Sequence, residues 1–158
     1  MVSTRLGTLE DVQISVSTVA WTTASLEWTE RHGGYDQLVR RRRSWALAER
    51  FPEAPPSLIA CFRELTLHQP TAHQPDFLLG LASEIPETWR LTDEDPYAPS
   101  SDGTVRIACS APVVDQEGAH ALLYVLLHGA GWAEGRVLYG SNRGGRWRVV
   151  DGFLDFAE

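Results

Sequence analysis

Apolar positions change their spacing on either side of a polar stretch, Thr92 to Gly103, and beyond it the chain reads as strands. Val105, Ile107 and Cys109 share one face of a strand expected over Thr104 to Val114. Asp115-Gln116-Glu117-Gly118 follows as a hairpin turn, with glycine where a positive φ is needed. Ala119 to His128 is the longest apolar run and is predicted to be the central strand; Gly129-Ala130-Gly131 interrupts it. Val137 to Ser141 and Arg146 to Val150 give a third and a fourth strand, joined by Asn142-Arg143-Gly144-Gly145. Connections this short make neighbours antiparallel, because a parallel crossover takes about a dozen residues or more. The expectation is an antiparallel meander of about four strands spanning residues 104–151.

Before Thr92 the periods are mainly helical. After Asp36, an N-cap, Leu38, Val39, Trp45, Ala46 and Ala48 fall on one side of a helix that runs to about Arg50 and is stopped by Phe51-Pro52. A second helix starts at Pro56-Ser57, with Leu58, Ile59, Phe62 and Leu65 as its buried stripe. Further upstream, Val12 to Ser17 alternates like a strand, although Val12, Val16, Val19 and Ala20 also fit a helix; His32-Gly33-Gly34 is a breaker. Prolines at 70, 75, 86, 96 and 99 leave room only for short elements at Phe77 to Ser83 and Thr88 to Leu91. Taken together these elements predict one α+β domain over 1–158, its meander packed against the N-terminal helices. Residues 1–11 are expected to be loose and 92–103 to form an acidic surface loop.

The central strand has two unlike faces. Its odd positions, Ala119, Ala121, Leu123, Val125 and Leu127, are wholly apolar and are expected to pack on the helices. Its even positions, His120, Leu122, Tyr124, Leu126 and His128, set two imidazoles and a phenol among leucines, the composition of a ligand pocket. His120, Tyr124 and His128, with Trp132 over the sheet edge, are the candidate ligand-binding residues; the competing reading is a sheet face half covered by loops. No catalytic residue is identified.

Composition narrows the function. The 158-residue chain is 43% hydrophobic and 22% charged, with a net charge of −7, so its field repels phosphate backbones and anionic lipid. Neither a nucleic-acid nor a membrane partner is expected. The first residues lack the pattern of a secretory signal and no run approaches the ~20 apolar residues of a spanning helix, so a cytoplasmic protein is the reading. Cys61 and Cys109 are far apart among apolar neighbours and read as buried thiols, although a single disulfide between them stays open.

Other candidate chemistry has plainer explanations. The five histidines (32, 68, 73, 120, 128) lack metal-ligand spacing, and His120 and His128 stand about 26 Å apart on an extended strand, so neither a metal nor a cofactor is expected. Gly129-Ala130-Gly131-Trp132 looks like a phosphate loop but is followed by a strand instead of a helix N-terminus. Arg40-Arg41-Arg42-Arg43 spreads around a helix and reads as a solvated face. Among the tryptophans, Trp45 and Trp147 are expected in the core, whereas Trp21, Trp28, Trp89 and Trp132 lie near loops and offer a recognition surface, with core the safer reading for most.

From Phe51-Pro52 onward, the strings Ser110-Ala111-Pro112-Val113-Val114-Asp115, Ala121-Leu122-Leu123-Tyr124-Val125, Gly135-Arg136-Val137-Leu138-Tyr139 and Gly145-Arg146-Trp147-Arg148-Val149 resemble a loose group of uncharacterised small bacterial proteins ending in such a meander. The closing strand is also similar to that of cone-shaped folds of the nuclear-transport-factor-2 superfamily. The resemblance implies an α+β fold and transfers no catalytic residue. Acidity, exposed-looking tryptophans and the lack of a catalytic constellation favour a non-enzymatic binding or protein-interaction module of a bacterial cytoplasm, of the immunity or inhibitor kind. The alternative is an enzyme or binder of a small apolar ligand held on the even face of strand 119–128.

Overall fold

The computed structural model describes residues 11–19, 21, 24, 46–68, 87–100 and 103–157. Trp28, His32 to Gly34, Asp36 to Trp45 with the arginine run, His73 and Phe77 to Ser83 lie outside the described residues, as do the first ten positions. The described elements are β1 (Asp11–Ser15), α1 (Leu47–Arg50), α2 (Pro56–His68), β2 (Trp89–Thr92), β3 (Thr104–Cys109), β4 (Val113–Val114), β5 (His120–Gly129), β6 (Trp132–Arg143) and β7 (Arg146–Ala157). The described residues are mostly sheet with two short helices, an α+β arrangement.

The sheet is larger than a four-stranded meander, and it is mixed. Its order is β2-β1-β3-β5-β6-β7, with β4 paired to β5, seven strands among the described residues. β1 runs parallel to both β2 and β3, with Val12 opposite Trp89 on one side and Val105 on the other. Parallel pairing is available here because long chain segments separate these strands, which short hairpins forbid elsewhere. The loop read as an acidic separator is therefore the crossover that carries the chain from β2 past β1 to β3. Arg106, only 2% exposed, holds it: its guanidinium donates to the carbonyls of Asp95 and Ala98, both at 3.0 Å, and pairs with the Glu94 carboxylate.

From β3 onward every pairing is antiparallel. The expected first strand is broken in two by Ser110-Ala111-Pro112, and the last two strands reach 12 residues each, well past the expected boundaries. Ala130-Gly131 and Gly144-Gly145 form the two tight hairpins, with φ of 73° at Gly131 and of 63° and 78° at the Gly144-Gly145 pair, the left-handed backbone such turns require. In the turn before β5, Asp115 Oδ1 accepts the backbone N–H of Ala119 at 2.8 Å and of His120 at 3.1 Å.

α2 begins at Pro56 as expected, and Leu58, Ile59 and Phe62 are buried; Leu65, the fourth of the predicted stripe, is exposed. Phe51, Leu58 and Phe62 pack on Leu122, Tyr124, Leu126, Val137, Tyr139, Phe153 and Phe156 in one core. Phe51 lies 5.5 Å from the Tyr139 ring and 5.8 Å from Phe153, and Trp21 lies 5.8 Å from Phe62, so aromatic rings bridge helices to sheet. The helices thus cover the even face of β5, the opposite of the expectation. Both faces are apolar enough to be core; the larger side chains of the even face fill the space under the helices, and the small Ala121 and Gly140 of the other face leave a hollow. Trp21 is core, and Trp147, expected in the core, is 48% exposed. Cys61 is exposed rather than buried, and both cysteines are free.

Candidate functional site

The four candidate residues spread along β5 and its hairpin, and none of them lines the two cavities found among the described residues. Tyr124 is fully buried, its hydroxyl close to where a Cβ on Gly135 would stand, so a glycine is needed there. His128 is buried at the far end of β5, beside β3, where its carbonyl accepts the Ser100 hydroxyl at 3.1 Å. Trp132 folds its indole against Gly129, across the hairpin, in the space a Cβ there would fill. His120, at the near end, is half-buried.

Tyr139, unremarked in the sequence, is the partner of His120. The two are diagonal neighbours across β5 and β6, within reach for aromatic side chains, and their rings stack 5.8 Å apart at 7°. Tyr139 Oη lies 2.7 Å from His120 Nδ1 and 3.3 Å from the Glu53 carbonyl. A phenol carries one proton, so both contacts are met together when Nδ1–H donates to the phenol oxygen and the phenol donates to Glu53. Burial pushes the Tyr139 hydroxyl above its ordinary value of 10.0, with Glu53 and Asp115 adding to it. That direction keeps the proton on the phenol and ties the sheet to the α1–α2 connection. A shallow cavity of about 230 Å³ lies beside it, lined by Phe51, Pro52, Glu53, Tyr139, Val150 and Asp151.

The larger concavity is on the face turned away from the helices. Leu123 stands directly opposite Leu138, and Ala121 opposite Gly140, which in turn faces Val149. The small residues at Ala121 and Gly140 form the floor; a Cβ on Gly140 would already stand 3.3 Å from the Arg148 carbonyl. Pro112 and Val114 wall one side, and Trp147, Arg148 and Val149 of β7 wall the other, around about 440 Å³. Val114, Trp147, Val149 and Leu154 are exposed large apolar side chains on or next to this groove. Farther along the same face, Arg136 and Glu134 pair at 2.8 Å, giving the apolar surface a charged boundary. The signal in the sequence was the odd face of β5 itself, continued by Leu138 and by Trp147 and Val149 at period two.

Among the described residues, no three His, Cys, Asp or Glu side chains are grouped as metal ligands, and no helix is long and apolar enough to cross a membrane. No protein-family model, curated protein or solved structure matches the chain.

Proposed function

We propose that this chain is a non-enzymatic binding module whose groove between Leu123, Leu138, Trp147 and Val149 takes an apolar segment of a protein partner. The observation that carries the reading is the groove itself: an aliphatic trough of about 440 Å³ on the sheet face the helices leave open. Exposed apolar surface of this kind is costly to keep in water and marks a site of association. An aromatic residue on the rim, Trp147, is of the kind that supplies much of the binding energy at protein interfaces. The His120–Tyr139 pair is engaged within the fold: the imidazole stacks on the phenol, whose hydroxyl donates to the Glu53 carbonyl.

A second reading has one specific observation behind it. The volume lies within the ~300–1,000 Å³ of small-molecule sites, so a small apolar ligand fits the same groove. This moves the ligand reading from the even face of β5, where Tyr124 is core, to the odd face.

The test is a photoreactive benzoylphenylalanine in place of Val149 in cells of the native host. A discrete cross-linked protein band that disappears in a Leu138→Glu background supports the reading. A band unaffected by Leu138→Glu, or none at all, contradicts it.

A further inference from the structure

We propose that β7 is also a self-recognition edge, along which two copies of the chain join antiparallel into one continuous sheet. This goes beyond the groove reading and uses a different part of the molecule, the outer edge of the sheet.

Among the described strands, the two sheet edges differ in kind. β2, at one end, has four residues; β7, at the other, has 12 and is exposed throughout Arg146 to Gly152. A long edge strand carrying Trp147, Val149, Val150 and Leu154 offers unpaired backbone together with apolar side chains, the combination that recruits another strand. Of the charges that β7 carries, Arg146, Arg148 and Asp151 fall on the face opposite the groove-side apolar row.

The occupant follows from the pattern of faces along β7. In register with Asn142, Gly140, Leu138 and Arg136 of β6, the residues Trp147, Val149, Gly152 and Leu154 all point to the groove side. Their spacing is not the regular alternation of a strand, because the register shifts between Tyr139 and Gly140, which inserts Val150 as an extra residue, and again between Gly135 and Arg136, which inserts Asp155 beyond Leu154. The first insertion makes the sequence of faces from Trp147 to Leu154 palindromic about a point between Val150 and Asp151. A two-fold axis through that point sets Trp147 of one copy opposite Leu154 of the other, and Val149 opposite Gly152, each pair on one face as antiparallel neighbours must be.

The chemistry agrees with this register. Trp147 and Leu154, each 48% exposed, become cross-strand neighbours, an aromatic against an aliphatic. Val149, 66% exposed, meets Gly152, which has no side chain to obstruct it. No other kind of partner is required to match itself this way; a second copy is. The two grooves then lie side by side on one face of a doubled sheet.

One feature opposes association and gives a second readout. Asp151 Oδ1 accepts the Gly152 N–H at 2.7 Å, and the two Asp151 carboxylates flank the axis. Removing the carboxylate in Asp151→Ala releases that N–H and the repulsion, and the dimer dissociation constant is expected to fall severalfold.

The experiment is cross-linking with a short bismaleimide in a Cys61→Ser background. Trp147→Cys and Leu154→Cys are exposed sites that leave the core intact. Trp147 of one copy lies seven residues, about 23 Å at ~3.3 Å per residue, from Trp147 of the other. Neither single variant should therefore link to itself, while an equal mixture of the two should give a covalent dimer and light scattering of the unmodified chain should give twice 17.6 kDa. A monomeric mass at high concentration with no product from the mixture overturns the proposal, as does self-linking of either single variant or a weaker dimer in Asp151→Ala. If these fail while groove capture at Val149 persists, the binding-module reading stands and only the self-pairing is lost.

Discussion

Leu123 and Leu138 face each other directly across β5 and β6 on the side of the sheet away from the helices. Each is half-buried, whereas Leu122 and Tyr139, one position along each strand and also directly opposite one another, are core. One step along a strand reverses the face, so these two pairs separate what holds the fold together from what it presents.

That separation is measurable as stability. Leu122→Ala opens a cavity under the helices and is expected to cost about 2–5 kcal/mol in urea unfolding. Leu138→Ala, losing contacts only at the groove, should cost clearly less. Equal losses would mean that both faces are core.

Arg106 makes a second, independent prediction. Arg106→Ala removes a buried guanidinium bonded to the Asp95 and Ala98 carbonyls and the Glu94 carboxylate, at an expected cost of about 2–3 kcal/mol. Limited proteolysis should then cut between residues 93 and 100 at a protease concentration that leaves the unmodified chain intact. Unchanged protection would show that the crossover is held by other contacts.

Tyr139 predicts an alkaline limb. Its hydroxyl titrates above 10.0 in the folded chain, because burial and the Glu53 and Asp115 carboxylates disfavour the phenolate. An acid whose folded value is raised gives stability that is complete below the unfolded value and is lost as pH rises from there through the folded value. Tyr139→Phe should therefore flatten the fall in stability above about pH 10. At neutral pH it should cost about 1 kcal/mol for the lost hydrogen bonds. An unchanged alkaline limb would remove Tyr139 from it.

The cysteines should react unequally. Burial pushes the Cys109 thiol up to about 11, so it has almost no thiolate at pH 8, while Cys61 is exposed. Iodoacetamide at pH 8 is expected to label Cys61 first and leave Cys109 unmodified in the folded chain, as peptide mass mapping would read. Equal labelling would contradict the placement of Cys109.

The hairpins were legible because their glycines and short lengths allow few alternatives: Gly118, Gly131, Gly144 and Gly145 all take the positive φ such turns need. The start of α2 was legible through Pro56 and the Leu58/Ile59/Phe62 spacing. The parallel strands were not, since pairing β1 with β2 and β3 is decided by long-range contacts that no local pattern encodes. The direction of β5 was equally hidden: Leu122, Tyr124 and Leu126 compete with Leu123 and Val125 on nearly equal hydrophobicity, and Phe51, Phe62 and Phe153 settle the matter from elsewhere in the chain. The two histidines drew notice to the even face by residue type alone. His120 proved to be a partner of Tyr139, and the open groove was on the side that alternation had assigned to the core.

The most direct measurement of the central claim is binding of the apolar fluorophore bis-ANS to three folded proteins: the unmodified chain, Leu138→Glu and Tyr139→Phe. The account predicts saturable binding to the unmodified chain and to Tyr139→Phe, and at least a tenfold loss in Leu138→Glu, the change that about 1.4 kcal/mol produces. Undiminished binding in Leu138→Glu, with its fold confirmed by circular dichroism, would contradict it.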